Sequence, residues 1–466
     1  MKTSHGNARA ITTIRVATIV LIVALSIDSL ARAAETITRY PYLQPTADME
    51  TSIGIAWETE TVSDCVVQYG IKSAEENKVK SEHKGVSPRG KQRYYTKLIN
   101  LSPGTEYKYK VVAGNAATPE YTLLTSSSKD DFAYRIFVFS DPHADENLNF
   151  SKPYNEKIIA DVKTFKPHLV LCIGDLAMGH SQERDSTPNQ NYIREYAIDQ
   201  EFETLFTLYR DVFANAIFAP VCGNHDLTVK NSYDYRIFAD EFYLPENGPE
   251  GRESKYFTQL FVKECNYSFN YGGIHFPTLG IGYIKFSDQA VCNALMVEPY
   301  KWLENDLNNA IKTGKIRNII GQGHIIEPYS TLRTDIPMPR TSGEIIYTNI
   351  LDKHKVALVL SGHHHAFERT YPLDHGGDTS SKLACPTTQE KSNYKNYAGV
   401  IYHTIPSPYF NFSVSDWPQL AFKSSVYENV YATIQVSAGG RKIEVKSYHK
   451  NNCVDSYTIE RDISKK

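Results

Sequence analysis

The sequence predicts two units in series: an all-β sandwich, then an α/β sandwich in which two packed sheets are flanked by helices. Three observations carry this. At 466 residues the chain exceeds what one hydrophobic core usually organises. Residues 36–127 read as short alternating apolar runs separated by turn formers, whereas from Asp131 onward apolar strands alternate with amphipathic helical stretches. Finally, SDPHAD at 140–145, GDLAMGH at 174–180, GNHD at 223–226, GQGH at 321–324 and GHHHAFERTYP at 362–372 each close an apolar run. That is where open α/β sheets place their ligands.

Taken in order, residues 1–33 read as a signal peptide. Lys2, Arg9 and Arg15 are basic, 16–27 is apolar, and Ala31 and Ala33 are small residues at the cleavage positions. The chain is therefore expected to be secreted, periplasmic or held at the cell surface. No later run is long and apolar enough for a transmembrane helix. Strands at 52–57, 65–69, 94–99 and 107–112 belong to a sandwich of about seven short strands over 36–127. The polar stretch 126–131 is the linker, and the second unit runs over 131–462. Its pattern is strand 134–139, helix 155–165 and strand 169–173. Helices at 195–216, 299–313 and 342–355 then precede strands at 217–222, 316–320 and 356–360. Further β signal lies within 255–286 and at 399–404, 430–436, 443–448 and 455–459.

Composition narrows the function classes. Lys+Arg 50 against Asp+Glu 53, a formal net charge of −3, gives no footprint for nucleic acid. The 32 tyrosines suggest an aromatic, hydrogen-bonding surface. Seven cysteines leave at least one unpaired. Cys172 and Cys222, inside apolar runs, are expected to be reduced; Cys265 with Cys292, and Cys385 with Cys453, are candidate disulfides of an exported protein. Asn100, Asn149, Asn266 and Asn411 begin N-x-Ser sequons, the first weakened by Pro103.

The five turns hold the chemistry. Any one of them supplies only what a strand-to-helix turn needs. Together they bring Asp141, His143, Asp175, Asn224, His324, His363 and His365, hard oxygen and imidazole donors, to the carboxyl ends of separate strands, which reads as one split metal site. His225 and Asp226 share a turn with Asn224 but are not read as ligands. His225 is placed to stabilise a transition state or protonate a leaving oxygen, with Asp226 orienting its imidazole. His364, His180 and His275 have plainer explanations. His403 is a candidate to support the site from behind, Glu368 and Arg369 are expected to pair with each other, and the Tyr and Asn residues of 189–196 are candidates for substrate contact.

These turns stand as Asp141-Pro-His143, Gly174-Asp175, Gly223-Asn-His-Asp226, Gly323-His324 and Gly362-His-His-His365. So arranged, the chain resembles the calcineurin-like metallophosphoesterases. The β-sandwich ahead of the motifs, Phe367-Glu-Arg-Thr-Tyr-Pro372 and Val454-Asp-Ser-Tyr-Thr-Ile459 resemble the purple acid phosphatase branch, and the turn before Tyr107 is similar to one in fibronectin type III domains. The resemblance implies a first metal held by Asp141, His143, Asp175 and His365, a second held by Asp175, Asn224, His324 and His363, and hydrolysis of phosphate monoesters by hydroxide generated between them. Two departures alter this. Met178 stands where the purple enzymes carry a metal-binding Tyr, and His143 where they have no His. A neutral imidazole in place of a phenolate favours divalent Mn, Zn or Fe over ferric iron, predicts a colourless protein and counts against an acidic optimum. The rival readings are a phosphodiesterase or pyrophosphohydrolase acting on nucleotides or lipid head groups, and an exported binding or adhesion protein that keeps the fold without turnover.

Overall fold

The computed structural model describes residues 36–145, 152–179, 190–226, 236–249, 265–280, 289–325, 342–376, 385–407, 418–424 and 430–465, and the architecture is that of these described residues. The signal peptide at 1–33, Asn149, His180, Asn189 and Asn411 lie outside them.

The first part of the chain is all β: β1 (Ile37–Gln44), β2 (Ile53–Thr59), β3 (Cys65–Gly70), β4 (Asn77–Lys80), β5 (Glu82–Val86), β6 (Gln92–Leu98), β7 (Glu106–Ala113), β8 (Ala116–Ala117) and β9 (Tyr121–Leu124). Strand β7 shows why: Tyr107, Tyr109, Val111 and Ala113 alternate inward against Lys108 and Lys110. The Tyr107 hydroxyl accepts the Ser102 N–H at 2.9 Å, a corner found in sandwiches of this type.

Strands and helices then alternate: β10 (Tyr134–Phe139), α1 (Lys152–Phe165), β11 (Leu169–Cys172), α2 (Gln190–Leu208), α3 (Arg210–Phe213), β12 (Ile217–Pro220) and α4 (Arg236–Glu241). Next come β13 (Asn266–Tyr271), β14 (Ile274–Leu279), α5 (Gln289–Lys312), β15 (Asn318–Gly323), α6 (Ser342–Lys353) and β16 (Leu358–Ser361). The chain closes with β17 (Phe367–Thr370), β18 (Leu373–Asp374), β19 (Cys385–Pro386), β20 (Asn393–Lys395), β21 (Ile401–Thr404), β22 (Leu420–Ser424), β23 (Val430–Ser437), β24 (Lys442–His449) and β25 (Asn452–Glu460). Helix α5 starts at Gln289 with Pro299 inside it, whereas the sequence places the start at Pro299. A proline usually opens a helix because it lacks an N–H, but it can sit further in at the loss of one bond.

Two sheets face each other in the second unit. One has the order β20-β25-β24-β23-β10-β11-β12 and continues through β1-β2-β6-β5; the other is β13-β14-β15-β16-β21-β17-β22. The sandwich is thus more than a bead on a linker. Leu43 of β1 pairs in parallel with Ile217 of β12, so one sheet crosses from the first unit into the second, while β4-β3-β7-β8, with β9 on β7, forms the other sandwich layer. Strands β11, β12, β15 and β16 are buried along their whole length, as expected of parallel strands covered on both faces.

The tyrosine excess is in good part internal, contrary to the expectation of a surface feature. The hydroxyls of Tyr109, Tyr134, Tyr267 and Tyr271 donate to the carbonyls of Ala214, Tyr271, Pro220 and Leu124. Each hydroxyl thereby finds a partner while its ring fills the core. Cys172 and Cys222 are buried free thiols, as expected. The expected Cys385–Cys453 bridge does not form: both are free, Cys385 opposite Asp374 and Cys453 opposite Tyr448 in different strand pairs. Cys265 is also free and lies in thiol contact with Cys222; the side chain of Cys292 is outside the described residues. Asn266 is buried in β13, which leaves no room there for a glycan.

Candidate metal centre

The five turns meet where the carboxyl ends of β10, β11 and β12 in one sheet face those of β15 and β16 in the other. Close backbone approach is built into the glycines. A Cβ on Gly174, whose φ is +86°, would sit 2.3 Å from His324 Nδ1, and one on Gly223 would sit 2.2 Å from the Asp175 amide nitrogen. Only glycine lets these loops touch.

The donor residues themselves are strained. Asp141, His143, Asp175, His363 and His365 have φ of 50°, 41°, 50°, 65° and 46°, a region costly for residues with a Cβ and often occupied at functional sites. Crossed hydrogen bonds hold them there. Asp141 N–H donates to Gly174 O and His143 N–H to Asp175 O, each at 3.1 Å. His225 N–H donates to Asp175 Oδ1 at 2.8 Å, His363 N–H reaches the Asp141 carboxylate at 3.1 Å, and Ser407 Oγ donates to the Asp141 carbonyl at 3.0 Å.

All seven predicted donors are brought to one place. Asp141, His143 and His365 present ligand atoms within 4.8 Å of one another, and so do Asp175, His324 and His363. His143 and Asp175 also belong to a triad with His225, which links the two groups. His365 Nε2 is 3.2 Å from Asp141 Oδ1, His324 Nε2 is 3.1 Å from Asp175 Oδ2, and His143 Nε2 is 3.9 Å from the same oxygen. Asn224 Oδ1 lies 3.2 Å from His324 Nε2. The His324 Nδ1–H donates to the Ile173 carbonyl at 2.7 Å, which fixes its tautomer and turns Nε2 toward the carboxylates, as ligating histidines require.

Electrostatics point the same way. Burial opposes ionisation of Asp141, but His324 and His365 outweigh it and hold the carboxyl at about 2. Burial likewise opposes ionisation of Asp175, yet His324 and His225 keep it well below the usual carboxylate range. Burial pushes His143 down to about 3 and His363 down to about 4, leaving neutral imidazoles. His324 is raised to about 9, because Asp175 and Asp141 overcome burial. Among the described residues, histidines are the only positive partners of the two carboxylates; no Lys or Arg pairs with them. Anionic oxygens and neutral imidazole nitrogens converging without a side-chain cation suit divalent metals.

Several expectations around this core are corrected. The Asp226 carboxylate holds the turns together, accepting the Ala177 and Gly223 N–H groups at 2.9 and 2.8 Å, while His225 Nδ1 meets the Met178 carbonyl at 2.6 Å. Chain neighbours at a tight turn point apart. Arg369 does not pair with Glu368; it grips Asp455 at 2.6 and 2.8 Å and lies over the Tyr457 ring, since consecutive residues of a strand face opposite sides. His403 stacks on Phe367 and bonds the Tyr457 hydroxyl at 2.9 Å, which makes it part of the packing behind β17. His275, by contrast, is a core residue as expected, held by Asn270 and Asp306. Of the 189–196 stretch, Tyr196 is exposed on α2.

Nothing in the sequence pattern signals a second acidic group. Glu58, Asp199 and Glu241 also bring their oxygens within 4.8 Å, but Arg39, Arg89 and Arg93 fill the space between them. Arg39 pairs with Glu241 and, at 2.7 Å, with Glu203; Arg89 pairs with Glu58 at 2.7 Å and Asp199 at 3.2 Å; Arg93 pairs with Glu241 at 2.7 Å. This network fastens β1, β2 and β6 to α2 and α4.

Residues 134–367 match the calcineurin-like phosphoesterase family, and residues 39–125 match the N-terminal domain of purple acid phosphatases. An uncharacterised protein of Mycobacterium tuberculosis is 22% identical over 387 residues, which is 78% of this chain and 68% of that protein. Purple acid phosphatase 15 of Arabidopsis thaliana is 22% identical over 298 residues, 60% of this chain and 51% of its own. Among solved structures, a purple acid phosphatase from yellow lupin (Lupinus luteus) seeds superposes with a TM-score of 0.64 at 19% identity, covering 91% of this chain and 74% of the lupin chain. PhoD superposes with a TM-score of 0.63 at 10% identity, covering 93% and 92%. At such identities the likeness to solved structures speaks for the fold alone.

Proposed function

Because the chain belongs to the calcineurin-like phosphoesterase family and carries the purple acid phosphatase N-terminal domain, we propose that it is an exported phosphohydrolase that cleaves phosphate monoesters with two divalent cations, Mn, Zn or Fe. The observation that carries this reading is the convergence of the Asp141/His143/His365 and Asp175/His324/His363 groups around carboxylates that, among the described residues, no side-chain ammonium or guanidinium neutralises.

In this reading Asp141, His143, Asp175 and His365 hold one cation, and Asp175, Asn224, His324 and His363 the other. When bound, the pair supplies Lewis acidity for the phosphoryl oxygens and an acidified water. Asp175 is the shared ligand: Oδ2 faces both His324 and His143, while Oδ1 is tied to the His225 N–H. His225 is 37% exposed, against 2% for His143, with Nε2 4.0 Å from Asp175 Oδ2. It stands at the solvent edge of the cluster, where it meets a phosphoester and delivers a proton to the departing oxygen. The Met178 position carries no phenol to give a ferric charge-transfer band, so the protein is colourless.

The test is turnover of phenyl phosphate against a matched phenyl diester, with metal content measured on the same preparation. Faster monoester hydrolysis is expected. Faster diester hydrolysis, or none of either with both cations bound, would overturn the reading. His225→Ala should keep both cations and lose about 10²- to 10⁴-fold in kcat.

A further inference from the structure

We propose that Glu201 is a positioning residue that acts on His225 through a single peptide plane. The inference rests on the phosphohydrolase reading, in which His225 protonates the leaving oxygen. A carbonyl oxygen can only accept, so at 2.6 Å from Met178 O the His225 Nδ1 carries the hydrogen. The proton that is given to a leaving group therefore comes and goes at Nε2, the nitrogen that faces Asp175 Oδ2.

The other half of the same peptide unit is the Gly179 N–H, which donates to Glu201 Oε2 at 2.9 Å. Glu201 is 1% exposed. A trans peptide is rigid and points its C=O and N–H in opposite directions. A buried carboxylate on the N–H side consequently fixes where the carbonyl points on the other side. It also polarises the unit, which strengthens the carbonyl as an acceptor. On the Nδ1 side the order is carboxylate, peptide, imidazole; Asp226, the sequence neighbour of His225, is engaged with Ala177 and Gly223.

Helix α2 makes the arrangement stiff. Asp199 and Glu203, four apart, share one helix face and are clamped by Arg39 and Arg89 from the sandwich. Glu201 projects from the opposite face toward the 174–179 turn. The β-sandwich thus sets the position of the helix, the helix sets Glu201, and Glu201 sets the carbonyl that holds the catalytic imidazole.

The experiment compares full-length wild type, Glu201→Ala and Glu201→Gln on phosphate monoesters whose leaving groups run from nitrophenol to simple alcohols, with metal content and KM followed throughout. Glu201→Ala should lower kcat roughly 10- to 100-fold for alcohol leaving groups, which need the proton, and only a few-fold for nitrophenol, with KM and metals unchanged. Glu201→Gln, which keeps an acceptor for the Gly179 N–H, should recover most of the loss. A loss of equal size for every leaving group, or none, overturns the proposal while the phosphohydrolase reading stands. If Glu201→Ala does not fold, the nearly isosteric Glu201→Met, which also removes the acceptor for the Gly179 N–H, is compared in wild-type and His225→Ala backgrounds: a loss in the first that disappears in the second supports the relay, and an equal loss in both overturns it. A metal-loaded wild type that hydrolyses no phosphoester overturns the reading itself, and the relay with it.

Discussion

Among the described residues two clusters of carboxylates can be compared, and they are neutralised in different ways. Glu58, Asp199, Glu203 and Glu241 are interleaved with Arg39, Arg89 and Arg93. Among the described residues, the side chains that pair ionically with Asp141 and Asp175 are imidazoles, and burial holds His143 and the neighbouring His363 neutral. Desolvated carboxylates require compensation in either case. In the first cluster the chain supplies the cations, and the result is an internal bolt between the sandwich and the helices. In the second it withholds them and uses strained backbone to keep the donors converged, which is what a site built for exogenous cations needs. Proximity of acidic groups alone does not mark a metal site; among the described residues, guanidinium partners fill the first cluster and not the second.

The comparison can be broken most sharply at Asp175. Asp175→Ala should abolish binding of both cations and lower kcat by about 10³-fold or more, since several kcal/mol of transition-state stabilisation go with them, yet the fold should survive. Metal analysis and circular dichroism check this. Arg39→Met should do the reverse. Removing one partner from a buried ion network costs about 3–5 kcal/mol, to be read as a lower urea midpoint with the metal content of the surviving folded protein unchanged. A shift below about 1 kcal/mol would mean that the network is no bolt.

A smaller effect separates packing histidines from the metal cluster. His403 is buried, which pushes it down to about 3, Asp455 only partly offsetting this. Its folded pKa lies below the usual 6.5. The stability it contributes is thus present above about pH 6.5 and is lost as pH falls toward about 3, where the unfolded chain binds the proton more readily. Urea unfolding at several pH values should show this decline, and His403→Gln, which cannot titrate, should flatten it.

Legibility in the sequence depends on distance along the chain. The metal donors can be read because each sits in a short turn after an apolar strand, and a ligand type at a strand end is a local signal. The arginine network cannot, because its partners are as far apart as Arg39 and Glu241, 202 positions, and none breaks the local pattern. Glu201 is hidden for a related reason: on an amphipathic helix it looks like one more solvated acid. Asp226 and Glu368 mislead in the opposite sense. Chain adjacency pairs them with His225 and Arg369, while turn and strand geometry send adjacent side chains in different directions. The left-handed backbone of Asp141, His143, Asp175, His363 and His365 is not marked by glycine, the usual sign of it: a glycine precedes Asp175 and His363, and none adjoins Asp141, His143 or His365.

The most direct test of the central claim is metal stoichiometry coupled to turnover on the full chain as purified. Two divalent cations per chain should be found, leaving together with phenyl phosphate hydrolysis on chelation and returning together when Mn or Zn is restored, with no visible absorption band in the oxidised protein. Full activity in metal-free protein, or a strong visible band from ferric iron, would contradict the account.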